Sequence, residues 1–152
     1  MGITEIKLYI KLFTEFYDLE RPERLECFSV DLLKVIFEGL LRGVDLIDFF
    51  IEHNWYTADE MAEIIDGAAK GVDYTVYAIP DYANEMQMML IKDGMIENIN
   101  YSLYADPKYS WKHMYYIKKG LEENINVYRY LDPNLSIMEV IRIRKELLSA
   151  WN

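Results

Sequence analysis

Residues 110–133, SWKHMYYIKKGLEENINVYRYLDP, contain a short phrase that recurs along the chain. The phrase is Ile-x-x-Gly, and its copies lie 28, 27 and 26 residues apart, ending on Gly39, Gly67, Gly94 and Gly120. A degenerate fifth copy ends on Glu146. We call the final residue of each phrase the anchor. Because the copies share their hydrophobic, capping and turn residues, each is expected to form the same supersecondary unit.

Each copy predicts one long amphipathic helix. In all five copies apolar residues stand six and three positions before the anchor and one position after it, a spacing that lines one helix face. Ten positions before the anchor stand residues that cap helix N-termini: Ser29, Thr57, Asn84, Ser110 and Ser136. Three copies complete the capping-box pattern three residues later: Glu60, Gln87 and Glu139.

A cap and a second, shorter helix are predicted after each long helix. Four positions after the anchor lie residues that tolerate the left-handed backbone of a helix C-cap: Gly43, Gly71, Asn98 and Asn124. The short helix carries an aromatic ring ten positions after the anchor: Phe49, Tyr77, Tyr104 and Tyr130. Three prolines are expected to stop it: Pro80, Pro107 and Pro133. A mid-helix glycine costs about 1 kcal/mol relative to alanine, so we expect the short helix or its ring to approach each anchor glycine closely.

The predicted fold is all-α, a small α-solenoid of about five long-helix/short-helix repeats. A unit of this size cannot bury its own apolar stripe, so neighbouring units are expected to stack. Residues 3–17 form another amphipathic pattern without an anchor, which predicts an N-terminal capping helix. We therefore expect one domain over residues 1–152, with a cap helix and connector in 1–26 and repeats in 27–152.

Composition argues against a membrane protein and against disulfide bonds. The apolar stretch of residues 32–51 is interrupted by five charged side chains, and residues 1–10 lack the plan of a signal peptide. Cys27 is the single cysteine, which excludes an intrachain disulfide and suits a reducing cytoplasm. Because it precedes a strongly apolar helix, Cys27 is expected to be a buried small hydrophobe.

The net charge of −10 is unevenly distributed. Residues 38–106 carry 14 acidic and 3 basic side chains, whereas residues 107–152 carry 5 acidic and 8 basic ones. The position just before the anchor changes sign along the repeats: Glu38, Asp66, Asp93, Lys119 and Lys145. In a stacked repeat such equivalent positions lie side by side, so one surface is expected to run from acidic to basic.

The sequence offers no arrangement that favours catalysis or a cofactor. Asp59, Glu63 and Asp66 share one predicted helix face, but without a Glu-x-x-His pattern they indicate a solvated or protein-binding face, not a metal site. His53 and His113 are expected at the surface, outside any nucleophile and base arrangement. The aromatic residues lack the basic groove that direct nucleic-acid binding requires.

The third long helix differs from the others. At two positions where the second copy has Asp59 and Glu63, it has Met86 and Leu90. Methionine recurs at adaptable contact surfaces, so this helix is either a protein interface or buried on both sides. The predicted protein-binding residues are Asp59, Glu63, Asp66, Met86, Leu90, Asp93 and Glu97.

Two stretches resemble a known repeat. Residues 71–80 (Gly-Val-Asp-x-x-x-Tyr-Ala-x-Pro) and 124–133 (Asn-Ile-Asn-x-x-x-Tyr-x-x-Pro), the latter following Met-x-x-Ile-x-x-Gly-Leu at 114–121, look like a short helical repeat. This repeat is found in many uncharacterised proteins of Gram-positive gut bacteria and of their phages and mobile elements. The resemblance extends over the repeats of residues 27–152. It implies a helical stack and a mobile-element setting, and it supplies no activity.

These observations favour a non-catalytic protein-binding module whose partner has a basic surface. In the mobile-element setting, the sharper hypothesis is an acidic inhibitor of a host defence or nucleic-acid-handling protein. The alternative is a homodimer or other homo-oligomer in which the acidic middle of one molecule meets the basic C-terminal repeats of another. That contact would involve Lys118, Lys119, Arg142, Arg144 and Lys145. An enzyme is the third possibility, and no residue pattern supports it.

Overall fold

The computed structural model describes residues 3–82 and 84–150, with side chains from residue 5 onward. Throughout these residues the regular structure is helical and no strand occurs, so the all-α prediction is confirmed. The α-helices are α1 (Ile3–Tyr17), α2 (Val30–Leu41), α3 (Ile47–Glu52), α4 (Ala58–Ala69), α5 (Glu85–Ile96), α6 (Trp111–Glu122) and α7 (Ile137–Ser149). Short 3₁₀ helices span Pro22–Cys27, Tyr74–Val76, Tyr101–Leu103 and Val127–Tyr130. Residues 151 and 152, the end of the predicted fifth repeat, lie outside the described residues.

The chain forms two compact units, Met1–Gly71 and Val72–Asn152. In the first unit α1 packs on α2 and on the 3₁₀ helix Pro22–Cys27, and α2 packs on α4. In the second unit α6 packs on both α5 and α7. The expectation of a single domain over 1–152 stays a prediction.

The predicted apolar stripes form the core. The residues three positions before the anchors are almost completely buried: Ile36, Ile64, Ile91, Ile117 and Ile143. So are those six positions before: Leu33, Met61, Met88, Met114 and Val140. Each stripe faces inward because its residues recur on one side of a 3.6-residue turn.

All five predicted N-caps are confirmed. In each, the side-chain oxygen accepts a hydrogen bond from an amide of the first turn: Ser29, Thr57, Asn84, Ser110 and Ser136. At Thr57 the box is reciprocal, since the Glu60 carboxylate accepts the Thr57 amide at 2.9 Å. Glu139 instead accepts the Ser136 hydroxyl at 3.1 Å. The Gln87 side-chain amide donates to the buried Tyr109 carbonyl at 2.8 Å, so this side chain links α5 to the segment that precedes α6.

The predicted left-handed C-caps also occur where the sequence places them. Gly43 and Gly71 have φ of 80°, and Asn98 and Asn124 have φ of 57°. In the first copy the Gly43 amide donates to the Leu40 carbonyl at 3.0 Å, and the Val44 amide donates to the Gly39 carbonyl at 2.8 Å. These two bonds form a Schellman motif, which satisfies carbonyls that the helix end leaves without partners.

The anchor glycines of the second unit lie under a tyrosine. The Tyr104 hydroxyl donates to the Leu90 carbonyl at 2.7 Å, and a Cβ built on Gly94 would collide with that hydroxyl. In the next repeat the Tyr130 hydroxyl donates to the Tyr116 carbonyl at 2.9 Å across Gly120. Both rings are fully buried. The glycine is therefore required for close approach, as predicted for these two copies.

The first repeat departs from this arrangement. Gly39 faces the Ile65 side chain, whose Cδ1 would lie 3.1 Å from an added Cβ, and its segment after the cap is the α-helix α3. Phe49, at the predicted ring position, is half-buried, whereas Phe50 is fully buried. An α-helix turns by less per residue than a 3₁₀ helix does, so the inward position moves by one residue.

Candidate protein-binding surfaces

The acidic face of α4 lies in the first unit. Asp59 is exposed, while Glu63 and Asp66 are half-buried. The Asp66 carboxylate accepts Arg42 at 2.8 Å and Lys70 at 3.0 Å. The pair with Arg42 ties the end of α2 to α4, so Asp66 has a structural role inside the unit. Of these three acids on α4, Asp59 is the one most exposed to a partner.

The basic residues of the acidic segment 38–106 are all engaged with acids of the same segment. There are three of them. Arg42 and Lys70 both pair with Asp66. Lys92 is buried, with its Nζ 3.9 Å from the Asp93 carboxylate. With 14 acids in the segment, these pairs leave a strong negative field around it.

A groove runs between α5 and α6 in the second unit. It has a volume of about 420 Å³ and is lined by Met86, Met89, Leu90, Asp93, Trp111, Tyr115, Lys118, Lys119 and Glu122. Its surface is mostly apolar, and charged groups lie along one end. Thioether and aromatic side chains of this kind recur at adaptable protein contacts. The structure thus places the methionine-rich helix in the wall of a groove.

The prediction for Leu90 needs correction. Leu90 is only 5% exposed, because α6 packs against this side of α5. It forms the floor of the groove, while Met86 on the same helix remains half-buried. Met89 and Tyr115, which the sequence reasoning missed, both stand five positions before an anchor. In the first two repeats the same position holds Lys34 and Ala62. A comparison of this position between repeats would have shown that larger apolar residues replace them in the third and fourth.

Lys118 is held between two carboxylates. Its Nζ donates to Glu97 at 2.9 Å and to Glu122 at 2.7 Å, and the side chain is 10% exposed. Burial by itself lowers the pKa of Lys118, but the hydrogen bonds to Glu122 and Glu97 outweigh it and raise that pKa. Lys118 therefore connects consecutive repeats. Glu97, an exposed member of the predicted protein-binding set, is the partner that anchors it.

Arg144 is the corresponding residue one repeat later. Its guanidinium donates to Glu123 at 2.8 Å and to the Tyr130 hydroxyl at 3.4 Å, and it lies over the Tyr116 ring at 5.4 Å from the centroid. Lys118 and Arg144 are both buried within the chain. They are therefore not available as the intermolecular contacts that the sequence suggested, because their charges already bind carboxylates of the same molecule.

The other three predicted oligomer contacts are exposed. Lys119 on α6 lies over the Tyr115 ring at 5.7 Å from the centroid. On α7, Arg142 pairs with Glu146 at 2.9 Å, and Lys145 lies one turn from Ile141 and two turns from Met138 on the helix surface. A cationic contact surface on this unit would therefore consist of Lys119, Arg142 and Lys145.

Two residues outside these surfaces also differ from expectation. His113, expected at the surface, is 1% exposed, with its Nε2 2.7 Å from the Tyr130 carbonyl and its ring against Tyr109. Cys27, expected to be buried, is exposed, and its Sγ donates to the Arg24 carbonyl at 3.3 Å. The 3₁₀ helix Pro22–Cys27 buries Leu25 instead. His53 is half-buried, and its Nδ1 lies 2.9 Å from the Phe49 carbonyl.

Two searches of the described part of the chain gave negative results. Across residues 3–82 and 84–150, no three His, Cys, Asp or Glu side chains are placed to hold a metal ion together. None of the helices described there combines the length and the apolarity needed to cross a bilayer.

Comparison with known proteins assigns no relative: no protein-family model matches the chain, and no curated protein or solved structure shows significant similarity.

Proposed function

We propose that the chain is a non-catalytic protein-binding module, built as an α-solenoid of about five long-helix/short-helix repeats, which docks on a basic surface of its partner. One observation carries the proposal. The few cations of residues 38–106 are each engaged with acids of that segment, so a large excess of negative charge remains. Such an excess destabilises a folded chain through self-repulsion, and a cationic partner would relieve it.

The repeating unit supports the solenoid. Within the second unit the same tie occurs twice: a buried cation two positions before an anchor pairs with an acid three positions after the preceding anchor. The pairs are Lys118 with Glu97 and Arg144 with Glu123. Contacts of this nearest-neighbour kind are what stabilise stacked repeats.

Binding is expected to be steered by the field of the acidic segment. Asp59 and Glu63 on α4 and Asp93 on α5 contribute to it, and each is at least partly exposed. Electrostatic attraction of this kind raises the association rate and selects cationic partners more than it sets the final affinity. The proposed location is the cytoplasm, and neither direct nucleic-acid binding nor membrane binding forms part of the proposal.

The sharper form of the proposal is an inhibitor from a phage or other mobile element. A chain whose acids occupy regular helical positions can place negative charge at the sites where a nucleic-acid-handling protein binds phosphates. A host defence protein of that class has the basic surface that the acidic segment would attract.

The test begins with partner capture and ends with purified proteins. The chain is used to capture partners from the source organism, and the best candidate is purified and titrated against the wild type at rising salt. We expect affinity to fall as salt rises, because the charges involved are solvent-exposed. The same titration is run with D59N/E63Q, which removes two acids from α4, and with E20Q/E26Q, which removes two exposed acids outside the segment.

The pair of variants separates local recognition from net charge. Both doubly substituted chains carry the same net charge, so the proposal expects D59N/E63Q alone to weaken binding. Equal binding by the two variants, or an affinity that salt leaves unchanged, would refute the acidic docking surface.

Self-association through the basic repeats is the second candidate. It is favoured by the exposure of Lys119, Arg142 and Lys145 on α6 and α7. Replacement of these three by glutamate should abolish a homodimer measured by light scattering, while Lys118 and Arg144 are left intact because they stabilise the fold. If the substituted protein has the same mass by light scattering as the wild type, self-association through these three residues is refuted.

A further inference from the structure

Trp55 is a large aromatic side chain that stays in contact with solvent. It lies in the turn between α3 and α4 and is 48% exposed. Its ring centroid lies 5.2 Å from that of His53 and 5.3 Å from that of Tyr56. The indole is therefore held on one side by its own unit and open to solvent on the other.

The Tyr56 side chain fixes the N–H edge of this indole. Tyr56 is 3% exposed, and its ring packs edge-on against the fully buried Phe50. Burial raises the pKa of Tyr56 to about 12; the hydrogen bond from Trp55 acts in the opposite direction, and the nearby Glu60 carboxylate adds to the rise. Because the N–H of Trp55 already has an acceptor, a partner molecule meets the π-face of the indole instead of its donor.

The stretch around Trp55 is strongly acidic. Residues 43–69 contain seven Asp or Glu side chains and no Lys or Arg. Glu52 and Asp59, three residues before Trp55 and four residues after it, are both exposed, and neither pairs with a lysine or arginine of the described chain. Three or four residues span at most about 14 Å of backbone, so both carboxylates act on a group that approaches the indole.

Aromatic rings on α6, by contrast, already have a cation of their own chain. The Lys112 Nζ lies 5.7 Å from the Trp111 ring centroid, and the Lys119 Nζ lies 5.7 Å from that of Tyr115. In the part of the chain that the structure describes, no lysine or arginine lies over the Trp55 ring. The negative face of an indole attracts a cation more strongly than the other side-chain rings do. Trp55 thus combines a ring and a field that both favour a cation from another molecule.

We propose that an arginine side chain of the partner stacks on Trp55 and donates to Glu52 or Asp59; we call these three residues the Trp55 site. The proposal rests on the proposed function, in which the partner presents a basic surface, and it names the group that is recognised. An apolar side chain is a poorer occupant, because it would remove the neighbouring carboxylates from water without replacing their hydrogen bonds. Trp and Arg are also among the side chains that most often dominate the energy of protein interfaces.

Arginine fits the Trp55 site better than lysine does. Its guanidinium is planar and weakly hydrated, so it stacks on a ring while the N–H groups at its edge still reach carboxylates. The lysine ammonium is compact and strongly hydrated. We therefore expect the Trp55 site to distinguish two ligands of equal charge by their head group.

The experiment uses the full chain and two fluorescein-labelled peptides of equal charge, one of nine arginines and one of nine lysines. Fluorescence anisotropy measures the affinity of each peptide at physiological salt. We expect the wild type to bind the nine-arginine peptide about threefold to tenfold more tightly than the nine-lysine peptide. W55A should remove this preference by weakening the binding of the arginine peptide, since both peptides then meet only the acids.

Matched controls separate the ring and the two acids from general effects. Y128A removes a tyrosine that is 70% exposed outside the acidic stretch, and it should bind both peptides as the wild type does. E52Q/D59N should weaken the binding of both peptides. E20Q/E26Q, which has the same net charge and alters two exposed acids elsewhere, should weaken it less.

A second measurement reports on the wild type directly. The indole N–H signal of Trp55 in a ¹H–¹⁵N spectrum is assigned by its absence from the spectrum of W55F. The nine-arginine peptide should shift this signal in the wild type and leave that of Trp111 in place. Circular dichroism checks that each variant is folded, and if W55A is not, the shift of the Trp55 signal decides.

The proposal fails if the wild type binds neither peptide or binds both equally, if W55A leaves the nine-arginine affinity unchanged, or if the peptide does not move the Trp55 signal. These results are distinct from a failure of the proposed function, which depends on the captured partner. If binding of that partner weakens with salt and in D59N/E63Q but not in W55A, the Trp55 site alone is refuted. If salt leaves the partner's affinity unchanged while W55A abolishes the arginine preference, the acidic docking surface fails and the Trp55 site stands.

Discussion

Substitution of Gly94 by alanine tests why the repeats carry a glycine inside their long helix. For an open helix interior, alanine is more favourable than glycine by about 1 kcal/mol. Here the added methyl group meets the Tyr104 hydroxyl, and it also lies 3.1 Å from the Tyr101 Cβ. The ring is fully buried and its hydroxyl donates to the Leu90 carbonyl, so it has no free space into which to move.

The expected result is a clear loss of stability. Displacement of the hydroxyl leaves a buried polar group without its partner, at about 1–3 kcal/mol. Overpacking around the new methyl group adds about 1–3 kcal/mol. After subtraction of the helix-propensity gain, G94A should lower the free energy of unfolding by about 1–5 kcal/mol. Urea denaturation followed by circular dichroism measures this change.

Two further proteins make the reasoning refutable. In Y104F the colliding oxygen is absent and the ring carbon Cζ lies 3.2 Å from the added Cβ, so G94A should lose much less stability in that background. At Gly39 the nearest atom is the Ile65 Cδ1 at 3.1 Å, a methyl group that can rotate aside, so G39A should stay within about 1 kcal/mol of the wild type. A stabilised G94A, or a G94A loss that Y104F does not reduce, would contradict the proposed close approach.

Three other predictions concern the caps, the buried ion pairs and the tyrosines. T57A removes the side-chain acceptor of a complete capping box and should destabilise the chain by about 1 kcal/mol in thermal unfolding. R144M should lower the free energy of unfolding by about 2 kcal/mol, because its charged hydrogen bonds are buried, whereas R142M should change it by less than about 1 kcal/mol, since that pair is exposed. Burial raises the pKa of Tyr56 and of Tyr82 to about 12, so the fold favours their neutral forms. The stability they contribute is complete below their unfolded pKa of about 10 and is lost as pH rises from there through 12. Urea midpoints that do not fall over this range would contradict the prediction.

Local chemistry explains why so much of the fold was predictable. A cap such as Thr57 or a left-handed residue such as Asn98 acts on backbone groups within a few positions of itself. Its effect can therefore be predicted from the neighbouring residues alone. The apolar stripes were equally clear because helical periodicity selects one face. The regular spacing of the anchors then placed five long helices without knowledge of their packing.

Burial on the outer faces could not be predicted in the same way. Leu90 and His113 stand at positions that a single helix leaves open, and they are buried only because another segment covers them. Phe49 was expected inside, but α3 is α-helical and turns Phe50 inward instead. These outcomes depend on contacts between elements, which a repeat pattern read along one chain does not specify.

The charge count of the C-terminal repeats illustrates the same limit and changes the functional argument. The sequence gives residues 107–152 an excess of three basic side chains, which suggested a cationic docking surface. Lys118 and Arg144 contribute to that excess, yet each is bound to an acid of the preceding repeat, and Lys118 draws on Glu97, which belongs to the acidic segment. The Lys118–Glu97 pair thus neutralises one positive charge of the C-terminal repeats and one negative charge of the acidic segment. Six of the eight basic side chains of residues 107–152 are exposed, but two of them, Arg129 and Arg142, share the Glu146 carboxylate. The 14 acids of residues 38–106, by contrast, far outnumber the three cations of that segment. For this reason the acidic segment is the stronger candidate for recognition by charge.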